Sequence, residues 1–133
     1  VLRSRPMACV MCEHVTGGEL VVSNALAAAF VDGFALTPGH TLIVPRRHES
    51  DFLALGSAEQ AAIWALVPDV CRHIEARGRP DGYNIGVNIG EAAGQTVGHA
   101  HLHVIPRYWG DVEDPRGGIR WIIPGKARYW EGG

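Results

Sequence analysis

Three histidines occupy alternate positions in one short stretch of the chain. His99, His101 and His103 are separated by single apolar residues within GQTVGHAHLHVIPR, residues 94–107. Alternate side chains of a β-strand point to the same face. The spacing therefore predicts three imidazoles on one face of a strand and apolar side chains on the other. One isolated histidine on a strand is most often a solvated surface residue. Three histidines in register instead favour a chemical role.

Two kinds of chemistry suit this row of imidazoles. The row can supply zinc ligands, since imidazole nitrogen is a common ligand of zinc. Alternatively, one imidazole attacks phosphorus while its neighbours handle charge and protons. Gln95 and Thr96 come just before the row and offer neutral donors suited to phosphate oxygens. They favour phosphorus chemistry, and Glu91 is the nearest carboxylate for a metal-dependent mechanism.

A pair of cysteines near the start of the chain is a second candidate site. Cys9 and Cys12 have the two-residue gap of a zinc knuckle, and a closed tetrahedral site would need two further ligands. The pair alone is also compatible with a redox role or with two free thiols. With Cys71 the count is odd, and we see no secretory signal. This favours a reducing, cytoplasmic location.

The composition predicts one globular domain. The chain has 133 residues, 47% of them hydrophobic, and a net charge of -2. Such a chain can build one core but has no basic excess that would favour nucleic acid or an anionic membrane. Its apolar runs are too short to cross a bilayer. We expect the domain to span residues 7–133, with Met7 as a candidate initiator and residues 1–6 as a disordered or non-native start.

The order of elements predicts an α+β fold with an antiparallel sheet of about five strands. Residues 19–34 have the pattern of two short strands with a turn near Ser23 and Asn24. Three further strands are predicted, over residues 40–45, 83–90 and 99–106. An irregular segment from Tyr108 onward is expected to pack on the domain.

One long helix is predicted over residues 57–76, between the two groups of strands. Ser57 suits the N-cap position, and Gln60 lies where a capping box places its acceptor. Pro68 lies inside the segment, so we expect a kink there. One face of the helix is apolar at helical spacing and should pack on the sheet: Ile63, Val67, Val70, Cys71 and Ile74.

These motifs together resemble one known family. The His-apolar-His-apolar-His signature, with a glutamine shortly before it, resembles that of the histidine-triad (HIT) nucleotide hydrolases and transferases. PGHTLIVPRRH, residues 38–48, resembles the second motif of that family. DPRGGIRWIIP, residues 114–124, is similar to the tail of a prokaryotic-type diadenosine polyphosphate hydrolase branch.

The resemblance implies a role for each histidine of the active site. His101 would attack the α-phosphorus and form a nucleotidyl-histidine intermediate. His103 would contact the phosphate, His40 would support the triad, and Gln95 and Thr96 would lie near the scissile bond.

The resemblance also implies how a purine nucleotide would bind. Asn88 would contact the phosphate, Asp32 would bind both ribose hydroxyls, and Phe30 would form a wall of the base pocket. Gly33 stands where the family often has a bulkier apolar residue, which predicts a wider pocket.

Some members of the family carry structural zinc, and the resemblance implies such a site here. Its ligands would be Cys9, Cys12, His48 and His99, so His99 would belong to the metal as well as to the triad. No organic cofactor is implied, and His14 is expected to be solvated. The resemblance further implies a homodimer.

The resulting hypothesis is an enzyme that hydrolyses a dinucleoside polyphosphate or a nucleoside phosphoramidate. Three alternatives remain open at this point. They are transfer of the nucleotidyl group to an acceptor other than water, a nucleotide-binding sensor or scaffold with vestigial catalysis, and a hydrolase with catalytic zinc.

Overall fold

The computed structural model describes residues 9–132. Within this range the chain forms a five-stranded antiparallel sheet with helices on both faces, so the predicted α+β fold is confirmed. The expected irregular start, residues 1–6, lies outside the described residues. Among those described, no helix is long and apolar enough to cross a membrane.

The sheet has the strand order β1-β2-β3-β5-β4, and every neighbouring pair is antiparallel. The predicted turn near Ser23 and Asn24 joins the first two strands. Asn24 Oδ1 accepts hydrogen bonds from the backbone N–H groups of Leu26 and Ala27, which fixes the turn. The strand bounds are β1 Val22–Ser23, β2 Ala27–Val31, β3 Thr41–Pro45, β4 Gly82–Val87 and β5 Leu102–Arg107.

The last strand begins later than the histidine spacing predicts. His99 and His101 precede β5, and of the three histidines only His103 lies on it. The backbone just before the strand bonds outside the sheet, since Ala100 N–H donates to Glu49 O at 2.7 Å. The prediction of three imidazoles on one strand face is therefore wrong. The strand predicted over residues 83–90 also ends early, at Val87.

The predicted long helix is two helices. α2 (Ser57–Ala65) and α3 (Val67–Glu75) are separated at Leu66. Pro68 lies in the first turn of α3, where its missing N–H costs no helical hydrogen bond. The sequence predicts a kink at this proline, whereas the structure has a break between two helices.

The start of α2 also differs from the prediction. Gly56 is the N-cap residue, and its backbone N–H donates to Glu59 Oε1 at 3.1 Å. Gln60 instead donates to the carbonyl of Leu55 at 3.1 Å. Both side chains stabilise the entry to the helix, but the reciprocal contact belongs to the glutamate, one residue earlier than predicted.

The main core lies between one face of the sheet and the helices α2 and α3. The face predicted for the long helix is the one that packs, since Ile63, Val70 and Ile74 are buried and Val67 and Cys71 pack at the edge. Their partners on the sheet are mainly strand residues: Ala27, Ala29, Ile43, Leu102 and Val104.

The opposite face of the sheet is partly covered by a short helix that the sequence did not predict. This helix, α1 (Val10–Gly17), buries Met11 against Phe30, Leu42 and Val44. Cys9 is its N-cap residue, and its Sγ accepts from Cys12 N–H at 3.4 Å. The cysteine pair therefore lies at the N-terminus of a helix fixed to the sheet.

Short helical segments complete the described chain. The tail, expected to be irregular, contains α4 (Pro124–Ala127) between two 3-10 turns, Gly118–Ile122 and Tyr129–Glu131. Two further 3-10 turns, Phe52–Ala54 and Glu91–Ala93, lie in the loops before α2 and before β5.

Candidate functional site

Strand pairing and one tight turn bring His40 and His103 together. His103 lies opposite Leu42 of β3 in the antiparallel register, and His40 precedes that strand by one residue. Gly39 has φ +95°, a left-handed value that a glycine adopts without strain, and a Cβ there would lie 3.3 Å from Ile74. The glycine therefore allows the turn that delivers His40 to β5.

His101 is held by the carbonyl of another histidine. Its Nδ1 lies 2.9 Å from His99 O. A carbonyl oxygen only accepts hydrogen bonds, so Nδ1 must carry the proton and Nε2 keeps its lone pair. The side chain is 8% exposed. His101 is therefore oriented with a nucleophilic nitrogen at the outer end of its ring.

His40 and His103 form a hydrogen-bonded chain that starts at the backbone. Leu36 N–H donates to His40 Nδ1 at 3.0 Å, which leaves the proton of a neutral His40 on Nε2. His40 Nε2 lies 2.9 Å from His103 Nδ1 and donates to it. The proton of a neutral His103 is then on Nε2, so this ring ends the chain as a hydrogen-bond donor.

Burial keeps both members of this chain neutral near pH 7. Burial lowers the pKa of His40, although Asp32, with Oδ2 3.5 Å from His40 Nε2, partly opposes the shift. Burial, with smaller contributions from His101 and His40, lowers the pKa of His103 to about 4. Candidate metal-ligating atoms of Asp32, His40 and His103 also lie within 4.8 Å of one another. The hydrogen-bonded chain explains their proximity, because His40 uses both ring nitrogens in it.

Gln95 is buried and uses its whole amide within the loop. Its Oε1 accepts from Gly90 N–H at 3.0 Å, and its Nε2 donates to Ser50 O at 2.7 Å and Val97 O at 3.0 Å. Both N–H bonds have backbone acceptors, so the amide is not free to donate to phosphate as predicted. Gln95 instead fastens the loop that leads to the histidines. Thr96 and Asn88 are exposed on either side of this loop.

The predicted base wall has an unexpected cover. Phe30 is 3% exposed, and the imidazole of His14 stacks on it with ring centroids 4.3 Å apart and planes 7° from parallel. His14, expected to be solvated, is thus partly covered by this stacking and otherwise stays partly exposed. Two residues along the chain, Asp32 accepts from Phe34 N–H at 2.9 Å through Oδ1 and has a partly exposed carboxylate.

The four predicted zinc ligands meet at one point of the fold. The ligand atoms of Cys9, Cys12, His48 and His99 all lie within 4.8 Å of one another. Cys12 Sγ is 3.2 Å from His48 Nδ1 and 3.5 Å from His99 Nδ1, and Cys9 Sγ is 3.5 Å from the same His99 nitrogen. In a tetrahedral zinc site, the sulfur–nitrogen edge is about 3.5 Å.

The chemistry of these donors also fits zinc. His99 Nε2 lies 2.9 Å from Pro45 O and must donate to it, so the bare lone pair of Nδ1 faces both sulfurs. Burial lowers the pKa of His99, which keeps it in the neutral form that binds metals. Burial, reinforced by Cys9, raises the pKa of the Cys12 thiol to about 11 without a metal, so binding would release that proton.

A further polar cluster follows the triad on β5. Arg107 donates to Asn84 Oδ1 at 2.6 Å and, through Nε and Nη2, to both carboxylate oxygens of Asp111 at 2.8 Å. These groups line a cavity of about 580 Å³ with Ile105 and Trp121. No sequence pattern predicts this cavity, because its walls come from the tail, from β4 and β5 and from the loop before β3.

Known proteins are similar to this chain in sequence. The model of the HIT domain matches residues 14–110. Adenosine 5'-monophosphoramidase of Schizosaccharomyces pombe is 35% identical over 76% of this chain and 75% of its own. The AP-4-A phosphorylase of Mycobacterium tuberculosis is 36% identical over 71% of this chain and 49% of its own.

Solved structures agree with the fold. The crystal structure of a zinc-bound histidine triad family protein from Mycobacterium smegmatis has a TM-score of 0.72 and 30% identity, over 97% of this chain and 100% of that one. The histidines, the sheet that carries them and the match of the family model lead to one conclusion. The chain belongs to the HIT family of nucleotide hydrolases and transferases.

Proposed function

We propose that the protein hydrolyses a nucleotide at its α-phosphate, with His101 as the nucleophile. The observation that carries the proposal is the 2.9 Å contact from His101 Nδ1 to His99 O, which leaves Nε2 available for attack. The ring centroid of His103 lies 4.9 Å from that of His101, so a donor to phosphate is next to the nucleophile. Relatives named as a phosphoramidase and as an AP-4-A phosphorylase support this class of substrate.

The order of groups along the site matches the order of parts in a nucleotide. Phe30 lies at the base end. Asp32 follows it two residues later on the same side of the chain, and its carboxylate reaches to 3.5 Å from His40. His40 contacts His103, which is beside His101. A base near Phe30, a ribose at Asp32 and a phosphate at His103 therefore form a continuous path to the nucleophile.

The proposed reaction has two displacements at phosphorus. His101 Nε2 first forms a bond to the α-phosphorus, and the bond to the leaving group breaks, with its electron pair going to the leaving group. The ring becomes a cationic nucleotidyl-imidazolium, stabilised by its Nδ1–H bond to His99 O. Water then attacks phosphorus and the P–Nε2 bond breaks. The products are a nucleoside monophosphate, neutral His101 and a proton released to solvent.

His103 supports both displacements through charge. Its Nε2–H donates to a non-bridging phosphate oxygen as negative charge builds on that oxygen. The chain from Leu36 N–H through His40 keeps the proton on this nitrogen. Thr96 and Asn88 are exposed at the loop and complete the phosphate contacts, whereas Gln95 holds the loop in place.

Zinc in this proposal is structural. We propose that Cys9, Cys12, His48 and His99 hold one zinc ion, as the donor geometry and the zinc-bound relative support. When bound, zinc ties the N-terminus of α1 to the two loops that carry His48 and His99. The carbonyl of His99 orients His101, so fixing His99 also fixes the nucleophile. No step of the reaction requires the metal.

A substrate panel tests the proposal. Diadenosine polyphosphates and adenosine phosphoramidates are offered to the protein and to His101→Ala, and nucleoside monophosphate is measured. We expect one class to be turned over and the variant to lose about 10³-fold or more in kcat. An unchanged nucleotide affinity of the variant shows that the fold is intact. Full activity of His101→Ala on every substrate would refute the nucleophile.

Transfer to phosphate is a second candidate outcome of the same intermediate. The relative named a phosphorylase favours it, since phosphorolysis places phosphate where hydrolysis places water. Product analysis with and without inorganic phosphate separates the two. Hydrolysis yields the nucleoside monophosphate in both conditions, whereas phosphorolysis yields a nucleoside diphosphate that depends on added phosphate.

A further inference from the structure

The stacked pair of His14 and Phe30 borders a cavity that the triad chemistry does not explain. The cavity has a volume of about 430 Å³ and is lined by both rings and by apolar side chains such as Leu20 and Val21. Polar side chains also line it, namely Glu19, His73 of α3 and Arg77 in the turn after α3. It lies at the edge of β2, beyond the last residue that pairs with β1. A volume of this size is in the range of small-molecule sites.

The ring surface that this cavity offers comes from His14 rather than from Phe30. Phe30 is 3% exposed because Met11, Leu42 and the stacked imidazole surround it. His14 is partly exposed and lines the cavity. With planes 7° from parallel, one face of the imidazole covers the phenyl ring. The remaining surface of His14 is therefore open to a ligand, in a cavity that the imidazole of His73 also lines.

We propose that His14 is a base-binding residue that stacks with the nucleobase of the substrate. The inference rests on the proposed function, which places the base near Phe30 and the ribose at Asp32. A flat aromatic heterocycle with polar ring atoms suits a cavity that has imidazole and apolar walls beside the charged Glu19 and Arg77. Stacking of a base on an aromatic side chain contributes about 1–3 kcal/mol. His14 lies on α1, two residues after Cys12, so the proposed zinc site also fixes the position of this wall.

Binding measurements separate the ring from the rest of the site. Calorimetry compares AMP with ribose 5-phosphate, which lacks the base, on the full chain loaded with zinc. Variants are His14→Ala, His14→Leu and His14→Phe, with Thr16→Ala as the matched control. Thr16 is exposed on the same helix, and its hydroxyl donates within α1, to the carbonyls of Cys12 and Glu13.

We expect His14→Ala to weaken AMP binding about tenfold or more and to leave ribose 5-phosphate binding unchanged. His14→Phe should restore AMP binding, His14→Leu should restore little of it, and Thr16→Ala should match wild type. Unchanged AMP affinity in His14→Ala, or equal losses for AMP and ribose 5-phosphate, would overturn the role of His14. If wild type binds neither ligand, the proposed function fails as well.

Discussion

Replacing Cys12 tests whether the four-residue cluster is a metal site. In Cys12→Ser, a hydroxyl stands where Sγ lies 3.2 Å from His48 Nδ1 and 3.5 Å from His99 Nδ1. A serine hydroxyl is not among the usual ligands of zinc, so the site loses one of four donors. Cys71→Ser is the matched control, because Cys71 lies on α3 and packs at the edge of the other core cluster.

The size of the effect follows from mass action. At free zinc 1,000-fold above its Kd, a bound ion stabilises the folded state by about 4 kcal/mol. The entropy of unfolding is about 2.1 cal/mol/K per residue, which for a chain of 133 residues is about 0.28 kcal/mol/K. Dividing the two gives a decrease in Tm of about 14 °C when the ion is lost.

Thermal unfolding with and without chelator is the assay, together with measurement of zinc in the purified protein. We expect wild type and Cys71→Ser to hold close to one zinc per chain and to melt about 14 °C lower in chelator. Cys12→Ser should melt near that lower temperature in both conditions. In chelator, the rate of hydrogen exchange should increase more in α1 than in β4, because Cys9 caps α1 and Cys12 lies in it.

Two results would refute this reasoning. One is wild-type protein that contains no zinc and melts at the same temperature with and without chelator. The other is Cys12→Ser with the zinc content and Tm of Cys71→Ser. Either would mean that the sulfur–nitrogen contacts are hydrogen bonds between thiols and imidazoles.

Three further predictions concern the loop, the buried histidines and the assembly. Gln95→Ala should destabilise the fold by about 1–3 kcal/mol in urea unfolding, because it leaves the partners of a buried amide unpaired; no loss would mean that the loop does not need the amide. His103 takes up its proton near pH 4 when folded but near 6.5 when unfolded, so stability should fall as pH decreases through this window. The decrease in stability with pH should be smaller in His103→Asn than in wild type. Equal decreases in the two proteins would contradict the lowered pKa of His103. We also propose a homodimer, with the open edge strand β4 as the candidate interface; sedimentation should give twice 14.4 kDa, and a monomer at all concentrations would contradict it.

The order of apolar and polar residues in the sequence predicted the fold well, because this order mainly reflects which residues are buried. Alternation in β5 and helical spacing in residues 57–76 correspond to real packing faces. The break at Leu66 was harder to predict, since a proline inside an apolar helical pattern is compatible with both a kink and a new first turn. Neighbouring elements, rather than the local sequence, decide between these two.

The surroundings of the histidines could not be predicted from spacing, because they are formed by residues far apart in the chain. His99 is 90 residues from Cys9, and their side chains lie 3.5 Å apart. Spacing alone predicted one strand face for three imidazoles, whereas the resemblance to a family assigned His99 to the cysteines. In the structure, the side chain of His99 faces the two sulfurs, and its carbonyl accepts a hydrogen bond from His101.

Gln95 and His14 show what spacing could not predict. A glutamine before a row of histidines is compatible with binding phosphate. In the structure, however, the amide of Gln95 pairs with backbone groups of a buried loop that would otherwise lack hydrogen bonds. His14 follows a cysteine pair without any repeat or partner in sequence, and only the packing of α1 on β2 brings it to Phe30. Both features arise where a loop or a short helix meets the sheet.

Trapping the intermediate identifies the residue that attacks phosphorus. The protein is mixed with substrate, quenched within one turnover and digested, and the peptide that contains His101 is analysed by mass spectrometry under conditions that preserve phosphorus–nitrogen bonds. The account predicts one nucleotidyl group on His101, formed and lost at rates that match turnover, and none in His101→Ala. A nucleotidyl group on a different residue, or turnover at the full rate in His101→Ala, would contradict it.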